Sequence, residues 1–330
     1  MRYYALDITN PKTGKPVLPP SLGGRKITSL DAFGGTNPAA LNIEFDLPVF
    51  VGLVPDTNGA WLRIYGLSLS EIGAAFDLNG MNVSFRAGMA KGLPLANPKQ
   101  QNMILKGTIY QAFGNWMGLD QTLDLNFIPP TGTSTKQINF PFKWQKGTKL
   151  ADAISETLKI GAPDFKHDIR ISDKLVINYE ETGFYQSLQQ FNDFLNAKSK
   201  DVVGGNYPGV LITTEGATIK VVDQSDKEGK KPTEIDFWDL IGQPTWIDTH
   251  TISVKTVLRG DLTVGDDFKL PPGPKQLSIA SGSGFSPFQN PASKTSFNGT
   301  FNITKIHHYG NFRQPDAESW NTTIEGTTAG

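Results

Sequence analysis

Glycine and proline occur throughout this chain and restrict its fold more than any other feature of the sequence. There are 34 glycines and 22 prolines in 330 residues, about one residue in six, whereas together they make up about 12% of an average protein. Both residues interrupt helices and favour turns, so the chain must be divided into short segments, as in proteins built from many short strands. The composition disfavours a helical bundle, a coiled coil or a long disordered chain, and the length predicts two or three domains.

Alternation of apolar and polar residues predicts strands over much of the first 140 residues. Residues 41–47 are apolar at every second position, which predicts a strand with one wet face. Residues 102–113 and 119–128 predict a hairpin with Leu119 on its apolar face, and a Ser-x-x-Glu capping pattern introduces a short helix over 68–78. This part of the chain therefore predicts an antiparallel sheet or barrel with one small helix.

The middle of the chain changes to helical patterns. Apolar residues repeat every three or four positions over 150–160 and 184–197, which predicts two helices. A strand pair is expected at 169–177 and a hairpin over 209–223. The charged stretch 226–232 contains Gly and Pro and is the best candidate for a linker.

Strand patterns return after this linker. Strands are predicted over 235–238, 251–258, 297–309 and 319–326. Residues 271–296 are rich in Gly, Pro, Ser and Asn, and this composition predicts a long loop. Loops beyond about 12–15 residues are uncommon and often functional.

The sequence contains no recognisable catalytic motif. The chain has no cysteine, which excludes disulfides, Cys-ligated zinc, iron–sulfur clusters and thiol nucleophiles. There is neither a phosphate-binding loop nor a nucleophile elbow. His307 and His308 are adjacent in a predicted strand, so they point to opposite faces and are expected to be structural. We therefore predict no catalytic residue, no cofactor and no metal.

An alternative reading is a β-rich carbohydrate-binding protein or glycosidase. Glu44 with Asp46 and Glu180 with Glu181 are carboxylate pairs of the kind that glycoside hydrolysis uses. The six tryptophans could form a sugar platform, although the neighbours of Trp61 and Trp238 favour core packing. The N-terminal residues predict no signal peptide, which counts against this alternative, but the alternative stays open.

Charge gives little indication of a polyanionic partner. There are 31 Lys and Arg against 32 Asp and Glu, a net charge of -1, and no basic run is longer than Lys230–Lys231. Strong non-specific phosphate binding is therefore not expected. A net charge near zero is consistent with a protein that associates. The N-terminus lacks an apolar signal core and no stretch reaches 18 apolar residues, so we expect synthesis in a cytoplasm and no membrane helix.

Short motifs follow one another in the C-terminal part. Residues 241–244 read Ile-Gly-Gln-Pro, 265–266 read Gly-Asp after a strand-like segment, 308–313 read His-Tyr-Gly-Asn-Phe-Arg, and 320–322 read Trp-Asn-Thr. In this order they resemble the baseplate hub proteins of contractile-tailed bacteriophages.

The N-terminal part is similar to the same family. The motifs are Ile-Tyr-Gly-Leu-Ser at 64–68, Val-Ser-Phe-Arg-Ala-Gly-Met at 83–89, Leu-Lys-Gly-Thr-Ile at 105–109 and Lys-Gly-Thr at 146–148. Met89 departs from the family pattern, which has an aromatic residue there, and the loop over 271–296 is long. The resemblance therefore runs nearly from end to end.

The resemblance implies a β-rich α+β fold. Two antiparallel, tail-tube-like β-barrel domains would span residues 1–142 and 233–330, with a small α/β module over 143–232 between them. It implies a structural protein and not an enzyme: a homotrimer whose six barrels form a pseudo-sixfold ring, joining a sixfold tail tube to a threefold cell-puncturing spike.

The resemblance also implies partners and a location. The partners would be further copies of the chain, a spike protein trimer, and the tail tube protein or adjacent tail and baseplate proteins. DNA would pass through the lumen without specific binding, and no membrane insertion is expected. The protein would be assembled in the host cytoplasm and reside in the tail baseplate of the virion.

The long loop supplies the candidate interface residues. We hypothesise that residues 271–296 dock onto a neighbouring ring or spike, with Phe285 and Phe288 as anchors. The hub portion of a secretion-system spike or of a phage-tail-like bacteriocin would share this architecture, and this alternative also stays open.

Overall fold

Strands dominate the structure, a computed structural model that describes residues 1–50, 59–90, 98–128, 139–163, 165–205, 207, 209–215, 218–223, 231–247, 251–271, 280–281 and 299–328. The chain divides into two compact units. Unit 1 comprises Met1–Val49, Asp56–Ile128 and Pro232–Thr328, and unit 2 comprises Phe50–Pro55, Pro129–Lys231 and Ala329–Gly330.

The strands and helices are numbered in chain order. Up to residue 128 they are β1 (Arg2–Thr9), β2 (Ile27–Thr28), β3 (Asn42–Phe50), β4 (Trp61–Tyr65), α1 (Leu69–Gly73), β5 (Asn82–Met89), β6 (Asn102–Met117) and β7 (Asp120–Ile128). The middle of the chain forms β8 (Phe140–Trp144), α2 (Leu150–Gly161), β9 (Lys166–Arg170), β10 (Glu181–Tyr185), α3 (Leu188–Val203), β11 (Val210–Glu215) and β12 (Thr218–Asp223). The last part forms β13 (Thr233–Glu234), β14 (Thr245–Trp246), β15 (Thr251–Val257), β16 (Asp267–Leu270), β17 (Ala280–Ser281), β18 (Gly299–Asn311) and β19 (Trp320–Thr328).

One sheet runs through unit 1. Its order is β17-β14-β15-β19-β18-β3-β4-β7-β6-β5-β1-β2, with β16 paired to β18 and β13 paired to β16. Most pairs are antiparallel, including the long hairpins β6–β7 and β18–β19. The sheet therefore joins strands from the two ends of the chain, because β3 and β18 are neighbours in it.

Alternation along these strands separates a dry face from a wet face. On β3, Ile43, Phe45 and Leu47 are buried, as the sequence pattern over 41–47 predicts. Phe45 packs edge-on against Phe85 at 5.0 Å and against Trp320 at 5.2 Å between ring centroids. The core of unit 1 therefore draws on β3, β5 and β19 together.

Unit 2 is built on two small sheets and two helices. β8 pairs with β10, and β9, β12 and β11 form a three-stranded sheet in which β9 and β12 run parallel. Phe191 of α3 packs against Phe140 and Phe142 of β8, with centroids 5.9 and 5.4 Å apart. The Ser187 side chain accepts a hydrogen bond from the Gln190 backbone and caps the start of α3.

The structure corrects several local predictions. Residues 171–177 contain no strand, because the predicted strand pair at 169–177 is replaced by β9, which pairs with β12 far along the chain. Residues 237–239 form a single 3-10 turn and not the strand predicted over 235–238. The helix predicted over 184–197 is shifted to α3, because the residues before it pair with β8.

The predicted boundary at residue 142 divides β8. All of β8 belongs to unit 2, since Phe140, Phe142 and Trp144 lie in the core of that unit. The β-rich fold with large antiparallel sheets is as predicted. The division of the chain into two barrels, over 1–142 and 233–330, stays a prediction.

Candidate assembly site

The candidate anchors Phe285 and Phe288 lie outside the described residues. Among the described residues, two surfaces of unit 1 are candidates for contact with other molecules. One is an exposed apolar turn and the other is the wet face of the sheet.

Three exposed apolar side chains lie at the turn of the β6–β7 hairpin. Leu119 is fully exposed, Met117 is 76% exposed and Trp116 is 64% exposed; these three residues are the apolar tip. The register ends at the pair Met117–Asp120, past the segment of β7 that pairs with β4. The prediction that Leu119 shares the apolar face of the hairpin is therefore wrong, because this residue lies in the turn beyond the sheet.

Helix α1 holds the hairpin that presents the apolar tip. A β-carbon on Gly114 would lie 2.0 Å from the backbone oxygen of Ile72, so only glycine allows this close approach. The Asn79 side chain accepts a hydrogen bond of 2.8 Å from the backbone N–H of Ala112. These contacts fix the outer half of β6, so the tip is presented on a supported hairpin.

The wet face is the side of β15, β19, β18, β3, β4 and β7 opposite the core. Its charged side chains form cross-strand pairs. Arg63 donates two hydrogen bonds to Asp124, at 2.6 and 3.0 Å, and Lys305 lies 2.9 Å from Glu325. The hydrogen bonds to Asp124 raise the pKa of Arg63. The Tyr65 hydroxyl donates to Glu44 at 2.8 Å.

The junction of β3 and β18, here called the seam, lies in the middle of this face. Asp46 and His307 are joined across it at 2.6 Å, and the Phe312 N–H donates to the Ile43 oxygen at 2.9 Å. On the dry side, a β-carbon at Gly310 would lie 2.3 Å from the ring of Phe45. Polar contacts on one face and close packing on the other thus bind the two strands.

The N-terminal strand is fixed to the turn between β18 and β19. The Arg2 guanidinium donates to the backbone oxygens of Asn311 at 2.6 Å, of Asp316 at 2.5 Å and of Gln314. It also lies 5.6 Å above the Trp320 ring, a cation–π distance. The first and last strands are therefore tied together.

A buried polar cluster adds a further link between the two ends of the chain. Arg259 forms two hydrogen bonds of 2.8 Å with Asp261 and one of 3.4 Å with Asp239, which also accepts from Gln100 at 2.6 Å. Burial raises the pKa of Asp239, and Arg259 opposes the shift. Removing one member would leave a buried charge without its partner, so the cluster fixes these segments.

His307 and His308 each contact a side chain of unit 1. His307 and His308 point to opposite faces as predicted, and His308 is buried with Nδ1 2.9 Å from the Thr322 hydroxyl. Among the described residues, no group of three or more His, Cys, Asp and Glu could hold a metal ion. Trp61 is half-buried, but Trp238 is 70% exposed, so the core position predicted for Trp238 is wrong.

No described helix is both long enough and apolar enough to cross a membrane.

The carboxylates considered for glycoside hydrolysis each have a partner. Glu44 and Asp46 bond to Tyr65 and His307, while Glu180 and Glu181 form ion pairs with Lys143 and Lys198.

No protein-family model and no curated protein sequence matches the chain. Solved structures similar to it include a type VI secretion system component of E. coli, with a TM-score of 0.47, 9% identity, and 89% of this chain and 75% of that chain covered. The 43 kDa tail protein of prophage MuSo2 from Shewanella oneidensis has a TM-score of 0.49 and 6% identity, with 99% of this chain and 97% of that chain covered. A tail protein of Neisseria meningitidis has a TM-score of 0.49 and 10% identity over the same shares.

Phage tail proteins and a secretion-system component are thus the kinds of protein to which the chain is structurally similar. The E. coli protein is itself described as similar to two tail proteins of bacteriophage T4.

Proposed function

We propose that the chain is a structural baseplate hub of a contractile phage tail. Three copies would form a pseudo-sixfold ring that joins the sixfold tail tube to the threefold spike, and DNA would pass through its lumen. The partners are further copies of the chain, the spike trimer and the tail tube or adjacent baseplate proteins. The role is structural, and the protein resides in the tail baseplate after assembly in the host cytoplasm.

The seam is the observation that carries this proposal. A threefold assembly that matches a sixfold tube needs two similar edge-pairing parts in each chain. The two parts of the chain for which the motifs predict tube-like barrels contribute neighbouring strands, β3 and β18, to one sheet. If a similar junction also formed between neighbouring chains, three chains with two such parts each would close a ring of six parts.

The apolar tip supports association. Trp116, Met117 and Leu119 lie next to one another around the turn and are exposed, whereas singly scattered apolar residues are ordinary on a protein surface. We propose that the tip contacts a neighbouring copy, where association would remove these side chains from water.

Negative-stain electron microscopy of the purified protein at high concentration tests the ring. Threefold rings with a central hole and six surrounding lobes are the expected result. Compact monomers, both alone and with the spike protein added, would contradict the proposal. The genes neighbouring the coding sequence would distinguish a phage from a bacteriocin or a secretion system, which share the architecture.

The role of Phe285 and Phe288 stays a proposal with its own test. We expect that replacing both by Ala weakens the complex with the spike or the adjacent ring without affecting the trimer. Normal complex formation by this variant would contradict the proposed role of Phe285 and Phe288 as anchors. Specific binding on a glycan array, or release of reducing sugar, would favour the carbohydrate alternative instead.

A further inference from the structure

The cations of the wet face are all neutralised. Within the described part of this face, the three lysine and arginine side chains each lie against a carboxylate: Arg63 against Asp124, Lys305 against Glu325, and Lys255 against Glu318 at 2.5 Å. Glu318 lies in the 3-10 turn directly before β19.

Pairing is incomplete elsewhere on unit 1, although Lys26 and Arg86 both lie against Asp7 there. Lys12, Lys15 and Lys106 are exposed elsewhere on unit 1 and have no carboxylate within ion-pair distance among the described residues. The wet face thus differs from the rest of unit 1 in that each of its described lysine and arginine side chains is paired. Composition alone does not explain the difference, because the chain has nearly equal numbers of acids and bases.

Acids outnumber bases on the wet face. Glu44 and Asp46 are additional carboxylates near the seam, and they accept hydrogen bonds from Tyr65 and His307 instead of from lysine or arginine. Burial raises the pKa of Tyr309, and the negative charges of Glu44 and Asp46 add to the shift. The face is therefore polar and slightly negative, and its cations are not available to a phosphate.

A polyanion binds a protein mainly through free cations. Each phosphate neutralised by lysine or arginine releases counterions, and that release supplies most of the non-specific affinity. We propose that the wet face is the surface past which DNA moves, and that its cross-strand ion pairs keep DNA from binding there. This inference rests on the proposed hub function and assigns one part of it to a surface and to named residues.

The experiment compares two triple variants that change the net charge equally. The wet-face variant, Asp124→Asn with Glu325→Gln and Glu318→Gln, frees all three cations. The control variant, Asp77→Asn with Asp201→Asn and Glu156→Gln, removes three exposed acids outside the wet face. Fluorescence anisotropy with a labelled 20-base-pair duplex measures the dissociation constant of each protein over a series of salt concentrations.

We expect the wet-face variant to bind DNA about tenfold tighter at low salt than the wild type or the control variant. Three freed cations would steepen the slope of log K against log salt by about 2–3. Equal binding by the two variants would overturn the inference, because it would show an effect of net charge only. Wild-type binding as tight as that of the wet-face variant would overturn it as well.

A single substitution preserves the test if the triple variant does not fold. Glu318 is 69% exposed, so Glu318→Gln frees Lys255 without disturbing the core, and we expect a smaller gain of about twofold. The assay does not require a ring. Rings with no gain in DNA binding would refute this inference alone, whereas a gain without rings would refute the hub proposal and leave the surface property standing.

Discussion

Gly310 shows how a single residue determines whether β3 and β18 can meet. A β-carbon there would lie 2.3 Å from the Phe45 ring and 2.9 Å from Trp320, and both rings are fixed by other core residues. Close-packed interiors accommodate added methyl groups poorly. The seam therefore requires glycine for its lack of volume rather than for its backbone freedom.

We predict that Gly310→Ala lowers the free energy of unfolding by about 1–3 kcal/mol, the usual cost of overpacking. Urea denaturation followed by tryptophan fluorescence would measure it. Gly73→Ala is the matched control, because no atom lies within 4 Å of a β-carbon at that position. A loss at Gly310 no larger than that at Gly73 would contradict the packing argument.

His308 predicts a dependence of stability on pH. Burial lowers its pKa to about 3, from an ordinary value of 6.5. Below pH 6.5 the His308 side chain binds a proton in the unfolded chain but stays neutral in the folded chain. The stabilising contribution of neutral His308 is therefore complete above pH 6.5, and the free energy of unfolding declines as the pH falls toward 3. The contribution of His308 to this loss is about 1.4 kcal/mol per pH unit.

The variant His308→Gln isolates this contribution. It keeps a polar group near the Thr322 hydroxyl but has no titrating ring. We expect the free energy of unfolding to fall less steeply between pH 6.5 and pH 5 in the variant than in the wild type, as measured by denaturation at each pH. Parallel curves would contradict the role of His308.

Among the elements, the β6–β7 hairpin presents its apolar tip on a supported strand. We predict that replacing Trp116, Met117 and Leu119 by Ser leaves the monomer folded and weakens association of copies by at least about tenfold. Light scattering after size-exclusion chromatography over a concentration series would measure it. Ile160→Ser is a control at a residue that is 65% exposed in unit 2, and equal effects of the two changes would refute the role of the tip.

Elements with strong local periodicity could be predicted from the sequence. The alternation over 41–47 predicts both the strand and its buried face, and the repeat over 150–160 predicts α2 within one residue. Elements that depend on distant partners could not be predicted in this way. β9 pairs with β12 more than 50 residues later, so nothing adjacent to it in the sequence reveals its extent.

The candidate site was harder to predict than the fold. Apolar residues around a turn, such as Met117 and Leu119, follow the same periodicity as core residues. They are exposed because the pairing of β7 with β4 ends at Thr122, before the turn. The ion pairs of the wet face join side chains from different strands, so they follow from the register and not from local spacing. Exposure of Trp238 likewise depends on the turn at 237–239, which no local pattern indicated.

At the scale of the whole molecule, the absence of cysteine makes the assembly accessible to site-specific labelling. We predict that Thr323→Cys, on the wet face, reacts in the assembled ring with a small maleimide but not with a maleimide attached to a large polymer. Glu156→Cys, on α2, is expected to react with both. Gel shift after labelling measures this, and equal polymer labelling of the two sites would place the wet face outside the lumen.

The seam also has a consequence for synthesis on the ribosome. β3 is complete by residue 50, but its neighbour β18 begins at Gly299. At about 5–20 residues per second, the edge of β3 stays open for roughly 12–50 s in every nascent chain. Two chains translated side by side on one messenger could exchange their last hairpins, since the swapped pair would keep every contact of the native one. Dilution of the nascent chains, or a chaperone that covers the edge of β3 until the final strands emerge, would prevent this exchange.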